Sequence, residues 1–563
     1  MVRKILKFYP IYIVVILGVL PLFDLFHAGL PLTHDGKDHV VRIANFYASL
    51  SEGILIPRWA ENLNWGYGHP VMMFLYPLPS YFASFFHVLG FSLIDSLKIV
   101  FGVSFIFSGL GMYIWLRKLL GIEAGLLGAI LYLFAPYRFV NVYVRGAIGE
   151  HVAFLFIPFI LFFITQLFLD TRSSLRFLIV NFLGIALFTA GLILSHNALS
   201  ILFLAFAGIY AVIIFFYNRN IMKFITLGIG VFWGFLLSSF FWIPALIEGK
   251  YTLRDIVTGD SEYALRFVET PLKFFSPEWS YGITGQLSVQ IGIVHLLVIA
   301  ISVIAVVKLT KKEPMKKSLY IFALFSLIFS LFMMLRESNF IWSFVSTIQK
   351  FQFPWRFLSL TVLASSLVGA YAILLVKKEK RIFGLILVVV FAVLFYGSYW
   401  RANDYLNRED LFFKSVYEGT TDTGESAPVW SVRFMEERPD AHIEILQGEV
   451  FIQEKSRSSV LHEYSIISSD SARIKENTLY FPGWNIYINN KKLNPDTEIQ
   501  YQDPAHRGVM TFNIDEGESN VRVVFEDTKL RFVSNVISLI SFILLGLITL
   551  IVLFSKPHAR KNS

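Results

Sequence analysis

Apolar runs of about 20 residues, the length needed to cross the hydrocarbon core of a bilayer, recur through this chain. They lie near 8–28, 95–116, 122–141, 148–169, 175–195, 197–217, 222–246, 287–308, 318–335, 356–376, 382–400 and 532–555. This pattern predicts a polytopic α-helical membrane protein with about 12 spans. A further stretch, 71–91, carries Pro70, Pro77, Pro79 and His87 at or within its limits. Its reading sets the direction of every later span.

If 71–91 does not cross, the basic clusters Arg117/Lys118, Arg172/Arg176, Arg219/Lys223, Lys308 to Lys317, Lys377 to Arg381 and Lys556 to Lys561 all share the side of Arg3, Lys4 and Lys7. If it crosses, all of them face outward, against the positive-inside tendency. The stretch is therefore read as an interfacial or re-entrant helix, and both termini as cytoplasmic. Residues 1–400 then form the transmembrane domain, with a first outer loop at 29–94. Residues 401–530 form an extracytoplasmic domain, and 531–563 form the last span and a basic cytoplasmic tail. The active face would be the outer one, on a plasma membrane.

Between 401 and 530 the period changes from that of helices to that of strands. Val450-Phe451-Ile452, Ser465-Ile466-Ile467, Asn485-Ile486-Tyr487-Ile488 and Val521 to Phe525 alternate between turn signals, which predicts an antiparallel β-sandwich-like domain. Asn489-Asn490-Lys491 reads as a hairpin turn. Charge separates the two parts. Residues 401–530 hold 14 Lys and Arg against 23 Asp and Glu, a net of −9, which leaves +17 for the rest of a chain whose net charge is +8. The positive excess lies in short clusters between apolar runs, which argues against a nucleic-acid partner. With no cysteine, disulfides, thiolate metal sites and cysteine nucleophiles are excluded. No P-loop, H-E-x-x-H, dinucleotide fingerprint or G-x-S-x-G motif is present.

Polar chemistry concentrates at the outer rim. Directly after the first span comes Thr33-His34-Asp35-Gly36-Lys37-Asp38-His39. Val40, Ile43, Tyr47, Leu50 and Ile54 follow at helical spacing, so an amphipathic helix lies along the interface. A start at Asp35 puts Asp35, His39 and Arg42 on one face with Asp38 beside them. A carboxylate there would serve as a general base toward a sugar hydroxyl. Together, Asp35 and Asp38 are also oxygen ligands suited to a divalent cation, Mg or Mn. The alternative is that either residue simply caps the helix.

A second cluster, Tyr137-Arg138 through Arg145-Gly146-Ala147-Ile148-Gly149-Glu150, brings arginines able to grip a phosphate. Arg138 reads better as a snorkelling anchor, and Arg145 as a candidate partner for the intramembrane carboxylate of Glu150. His196 in a tight turn, Glu248, and Arg356 within Phe353-Pro354-Trp355-Arg356-Phe357 complete the candidates; His34, His39, Arg138, Arg145, Glu150, His196, Glu248 and Arg356 are assigned to substrate binding.

Thr33-His34-Asp35-Gly36, Pro57-Arg58-Trp59, Gly66-Tyr67-Gly68-His69-Pro70, Tyr76-Pro77-Leu78-Pro79, Ala135-Pro136-Tyr137-Arg138, Tyr143-Val144-Arg145-Gly146-Ala147 and Phe353-Pro354-Trp355-Arg356-Phe357 together resemble the bacterial and archaeal membrane proteins labelled 6-pyruvoyl-tetrahydropterin synthase-related. No zinc-binding His triad of a pterin synthase accompanies them, and no pterin chemistry is expected. Tyr480-Phe481-Pro482-Gly483-Trp484 through Asn489, before a final span, is similar to the ending of large bacterial proteins that glycosylate envelope polymers. Both groups are similar to the GT-C superfamily of polyprenyl-phosphate-sugar glycosyltransferases. That resemblance implies an essential acidic residue in the first outer loop, matched here by Asp35 with Asp38 second, although the loop has no adjacent pair of acidic residues.

The resemblance implies a GT-C-type enzyme. It would move a hexose or pentose, with inversion, from a polyprenyl-phosphate-linked donor to an envelope glycan, lipid or protein. Asp35 would act as base, with Arg145 and Arg356 balancing charge on the leaving phosphate. The alternatives are a transporter or flippase of lipid-linked glycans, and a non-catalytic envelope scaffold.

Overall fold

The computed structural model describes residues 8–257, 262–282, 287–309 and 313–554. The basic residues at 3–7, 311–312 and 556–561, expected on the cytoplasmic side, lie outside that set.

Every apolar run is helical. The helices are α1 (Tyr9–Val19, continued as a tighter turn to Phe26), α2 (Gly36–Ser51), α3 (Leu78–Val88), α4 (Leu93–Leu120), α5 (Ile122–Leu133), α6 (Ile148–Leu169), α7 (Leu175–Ile193), α8 (Asn197–Asn218), α9 (Ile221–Leu237), α10 (Ser239–Ile247), α11 (Ile293–Leu309), α12 (Pro314–Phe332), α13 (Leu358–Ala370), α14 (Arg381–Tyr396) and α15 (Lys529–Phe554), with shorter turns between some of them. Among the described residues eight helices are long and apolar enough to cross a membrane. Two bent pairs, α5 with Pro136–Val144 at 48° and α9 with Ser239–Tyr251 at 70°, make the number up to ten when each is counted as one span. The two remaining expected spans, at 287–308 and 382–400, are helices of 17 and 16 residues. Each is somewhat short of an upright crossing.

The stretch 71–91 breaks into Val71–Phe74 and α3, of 4 and 11 residues. At 1.5 Å per residue α3 covers only about 17 Å, too little to cross. Pro77 and Pro79 cause the break, because proline is tolerated only in the first turn of a helix. Side chains close several helix starts: Ser92 accepts from the Asp95 amide, Ser174 from Phe177 and Asn220 from Lys223.

Strands β1 (Leu30–Pro31) and β2 (Tyr405–Leu406) pair with each other and tie the loop after α1 to the chain leaving α14. Residues 443–525 hold two antiparallel sheets. One runs β4 (Val450–Arg457), β5 (Leu461–Ser468), β10 (Gly517–Phe525), β7 (Trp484–Ile488), β8 (Lys491–Lys492). The other runs β3 (Ile443–Gln447), β6 (Ala472–Leu479), β9 (Val509–Ile514). Tyr464, Ile466, Ile474, Trp484, Ile486, Phe512, Val521 and Val523 fill the space between them. Asn489 and Asn490 both have positive φ, 50° and 67°, which makes the two-residue turn that joins β7 to β8. Residues 407–442 carry one short helix and otherwise run as irregular chain over the loop after α1.

The β-rich part is fastened to the membrane part by polar and aromatic contacts. Arg457 reaches Glu61 at 2.5 Å, and Trp59 meets Trp484 edge-on at 5.3 Å. Glu248 accepts from Arg531 at the head of α15, at 2.7 Å, and from the Thr528 hydroxyl at 2.7 Å.

Candidate functional site

The loop after α1 and the 140s loop are bound to each other through the backbone. The His34 amide donates to the Val144 carbonyl at 3.0 Å and the Asp35 amide to the Arg145 carbonyl at 2.9 Å. Gly146 permits this approach. Its φ is +68°, and a Cβ there would stand 2.3 Å from Thr33 Oγ1 and 3.1 Å from the Gly36 amide. The contact brings Asp35 under the influence of Arg145, with Asp38, His34 and Arg42 also acting on it. Burial pushes the Asp35 carboxyl above its ordinary value, and Arg145 only partly offsets that. Asp35 immediately precedes α2, and its side chain caps no amide.

Further along α2, Arg42 donates to His39 Nδ1 at 3.1 Å, and both side chains are buried. Because a guanidinium only donates, His39 carries its proton on Nε2. That atom is buried without a partner among the described residues. Burial, then Arg42, Arg145 and His196, hold the His39 pKa well below its usual value, so the ring is neutral. Asp38 accepts from the Tyr417 hydroxyl at 2.6 Å, and His34 Nε2 is bonded to the Gly282 carbonyl.

Glu150, at the start of α6, is the hub of the second cluster. Its Oε2 lies 2.9 Å from Arg145 Nη1 and accepts from Tyr137 at 2.8 Å, while Oε1 lies 3.3 Å from Arg356 Nε and 3.9 Å from His196 Nε2. Arg145 also donates to Asn141 Oδ1 at 3.0 Å. A π-helical turn at Val140–Val144 delivers Arg145 to this place; such turns often mark functional sites. Burial opposes the Arg145 charge, but Glu150, Tyr137 and Asp35 outweigh it and raise its pKa. His196 accepts the Leu199 amide on Nδ1 at 3.2 Å, so it too presents Nε2–H. Burial and Arg356 lower its pKa to about 3. Tyr76 stacks on its ring, with centroids 5.1 Å apart.

Asp35, His34, His39, Arg145, Glu150, His196 and Arg356 thus form one connected neighbourhood, with Asp38 on its flank. Two candidates fall elsewhere. Glu248 is committed to Arg531 and Thr528. Arg138 is neither a snorkelling anchor nor at the site. It is wholly buried, donates to Ser108 at 3.0 Å, and lies against the rings of Phe105, Tyr132 and Phe154 at 4.8, 5.3 and 4.4 Å. Tyr76, Tyr137 and Tyr417 were not among the sequence candidates. The first two stand in the quoted motifs Tyr76-Pro77 and Tyr137-Arg138, whereas nothing in the sequence marks Tyr417.

Among the described residues no three His, Asp or Glu side chains converge as a metal-ligand set. Asp38 is engaged through Oδ1 by the Tyr417 hydroxyl. An open groove of about 410 Å³ lies at the N-terminal end of β1, lined by Gly29, Ser92, Asp95, Asn407 and Glu409 among others, and includes none of the site residues.

Apolar spans, a β-rich region late in the chain and a buried Arg-Glu-Arg cluster beside a loop carboxylate define a polytopic membrane protein with an ionisable site between its helices. The chain belongs to the family described as "6-pyruvoyl-tetrahydropterin synthase related domain; membrane protein", whose sequence model matches residues 73–404. It is 27% identical over 284 residues to an uncharacterized protein of Lactococcus lactis subsp. cremoris (strain MG1363), covering 48% of this chain and 44% of that one. Among solved structures it is similar to the arabinofuranosyltransferase AftD from mycobacteria, with a TM-score of 0.44 and 14% identity over 73% of this chain and 27% of that one. A variant of AftD gives a TM-score of 0.43 at 15% identity, over 69% and 27% of the two chains. The chain therefore spans less than half the length of its curated relative and about a quarter of AftD.

Proposed function

We propose that this protein is a GT-C-type membrane glycosyltransferase that moves a sugar from a polyprenyl-phosphate donor to an envelope acceptor on the extracytoplasmic face. The observation that carries the reading is the backbone junction of His34 and Asp35 with Val144 and Arg145, which sets a carboxylate of raised pKa beside a buried guanidinium. A base needs a pKa near the working pH, and burial moves Asp35 in that direction.

In the proposed step Asp35 takes the proton of an acceptor hydroxyl, and the hydroxyl oxygen bonds to the anomeric carbon. The bond from that carbon to the phosphate oxygen breaks, and the electron pair leaves with the polyprenyl phosphate, giving inversion. Arg145 and Arg356 share one counter-ion, Glu150. The trio keeps a net positive charge, fixed before the reaction, for the leaving phosphate. His196 and His39 are neutral and present N–H groups, so they add donors without adding charge. A polyprenyl tail keeps the donor in the bilayer, which suits a site at the mouths of spans.

Purified protein incubated with a panel of labelled polyprenyl-phosphate sugars and membrane acceptors tests the reading. Transfer that is lost in Asp35→Asn supports it. Movement of the labelled lipid between leaflets without any transfer replaces it by the flippase alternative.

A further inference from the structure

The polar face of α2 is covered by a segment from the far end of the chain. The Tyr417 hydroxyl donates to Asp38 Oδ1 at 2.6 Å. Arg42 donates through Nε to Thr421 Oγ1 at 3.3 Å and through Nη2 to the Thr421 carbonyl. The segment is pinned on both sides of these contacts. The Tyr417 amide donates to the Asn62 carbonyl at 2.7 Å, and the Asn64 amide to the Gly419 carbonyl at 2.8 Å. Beyond Thr421, Asp422 Oδ1 faces His69 Nε2 at 3.4 Å, both side chains being buried.

Three features mark this cover as one that opens. Residues 418–426, Glu-Gly-Thr-Thr-Asp-Thr-Gly-Glu-Ser, contain no hydrophobic side chain, so of the segment 417–426 only the Tyr417 ring packs against the apolar core and polar contacts hold the rest. Such elements come from the low-stability end of a fold. Thr421, a β-branched residue, sits at φ +61°, a conformation that costs energy for any residue of that shape. Finally, a hydroxyl meets the Asp38 carboxylate, and a hydroxyl and a carbonyl meet the Arg42 guanidinium. Sugar hydroxyls would offer those same partners.

Resting on the glycosyltransferase reading for its ligand, we infer that residues 417–426 form a strap standing in for a polyhydroxylated acceptor on Asp38 and Arg42, and that it lifts to admit one. Lifting exchanges the Tyr417 and Thr421 oxygens for acceptor hydroxyls on the helix that Asp35 begins.

Two measurements on the full-length protein in nanodiscs test this. In hydrogen exchange read by mass spectrometry, the bonded amides of Tyr417, Thr423, Gly424 and Ser426 should exchange at least about 10-fold faster than those within α2, and faster again in Tyr417→Phe. Exchange of the strap only together with α2, unchanged in Tyr417→Phe, overturns the inference. The second test uses the absence of native cysteine. Lys37 and Glu418 approach to 3.9 Å across the strap, and both are solvent-accessible. Lys37→Cys with Glu418→Cys, joined by a disulfide-containing bismaleimide, should lose about 10-fold or more of transfer and regain it when the linker is cleaved. Full transfer while joined overturns the inference. If the protein transfers no sugar at all, the exchange experiment still decides whether the strap opens, so the two readings fail separately.

Discussion

Arg145 Nη1 stands 2.9 Å from Glu150 Oε2, and the same carboxylate holds Arg356 on its other oxygen at 3.3 Å. Glu150 is 1% exposed. A buried carboxylate between two guanidiniums is both their counter-ion and their spacer.

Replacing Glu150 with Gln keeps the volume but leaves the buried Arg145 and the partly buried Arg356 without their shared counter-ion. Breaking a buried pair in this way costs about 3–5 kcal/mol, so thermal unfolding of Glu150→Gln should occur well below that of wild type. Added polyprenyl phosphate should raise the unfolding temperature more in the variant than in wild type, because the lipid phosphate replaces the lost charge. Equal shifts in both proteins would mean that the arginines do not receive the phosphate.

Asp35→Asn separates chemistry from stability. Loss of a general base reduces transfer by about 100-fold to 10,000-fold. The folded-state pKa of Asp35 is raised, so the fold binds that proton more tightly than the unfolded chain does. Its contribution to stability therefore grows as pH falls through the folded value, and at neutral pH the ionised carboxylate is a cost. Asn removes that cost, so the inactive variant should unfold at a higher temperature than wild type near pH 7. The acid limb of the wild-type pH–rate profile should lie above the range of a free carboxylate. A variant that is both inactive and less stable would assign Asp35 a structural role.

How much of this was legible depended on the distance over which each feature is encoded. The twelve apolar runs are local, and all are helical. Strands β4, β5, β7 and β10 alternate in sequence, and that alternation exposed them. Strand β6 escaped because it buries the polar side chains of Glu476, Asn477 and Thr478, where an apolar pattern was expected. Glu476 is bonded to His462 at 2.9 Å and Tyr464 at 2.8 Å. The sequence separated Arg138, read as a snorkelling anchor, from Arg145, read as the partner of Glu150, although seven residues in a regular helix return nearly to one face. The π turn between them breaks that period, and the two guanidiniums end in different surroundings. Tyr417 meets Asp38 across 379 residues of chain, and no local pattern carries such a contact.

Glu248 stood among the substrate-binding candidates, yet it joins the second half of a bent span to the head of α15. Glu248→Gln should destabilise the protein by several kcal/mol, because Arg531 is wholly buried and would lose its counter-ion. Glu248→Met combined with Arg531→Met should recover part of the loss, giving a coupling of about 0.5–3 kcal/mol in a double-mutant cycle of thermal or denaturant unfolding. Transfer per folded molecule should stay near wild type in all of these variants. A selective rise in donor KM in Glu248→Gln would return Glu248 to the site.

Arg138 provides the opposite test, a buried cation whose removal should be harmless. Among the described residues its Nε and Nη1 have no hydrogen-bond partner, and no carboxylate is paired with it. Three aromatic rings offset part of its desolvation, each cation–π contact contributing about 0.5–2 kcal/mol. Taking a guanidinium out of water costs several kcal/mol. Its removal strands no partner. Ser108 also bonds the Phe105 carbonyl at 2.6 Å, and Tyr132 bonds the Phe154 carbonyl at 2.9 Å. Arg138→Met, which fills the cage with a flexible apolar side chain, should therefore be as stable as wild type or more so, and should retain transfer, whereas Arg145→Met should lose it. If Arg138→Met instead folds normally but binds donor more weakly, the phosphate site extends into the bundle, and the division drawn between these two arginines is wrong.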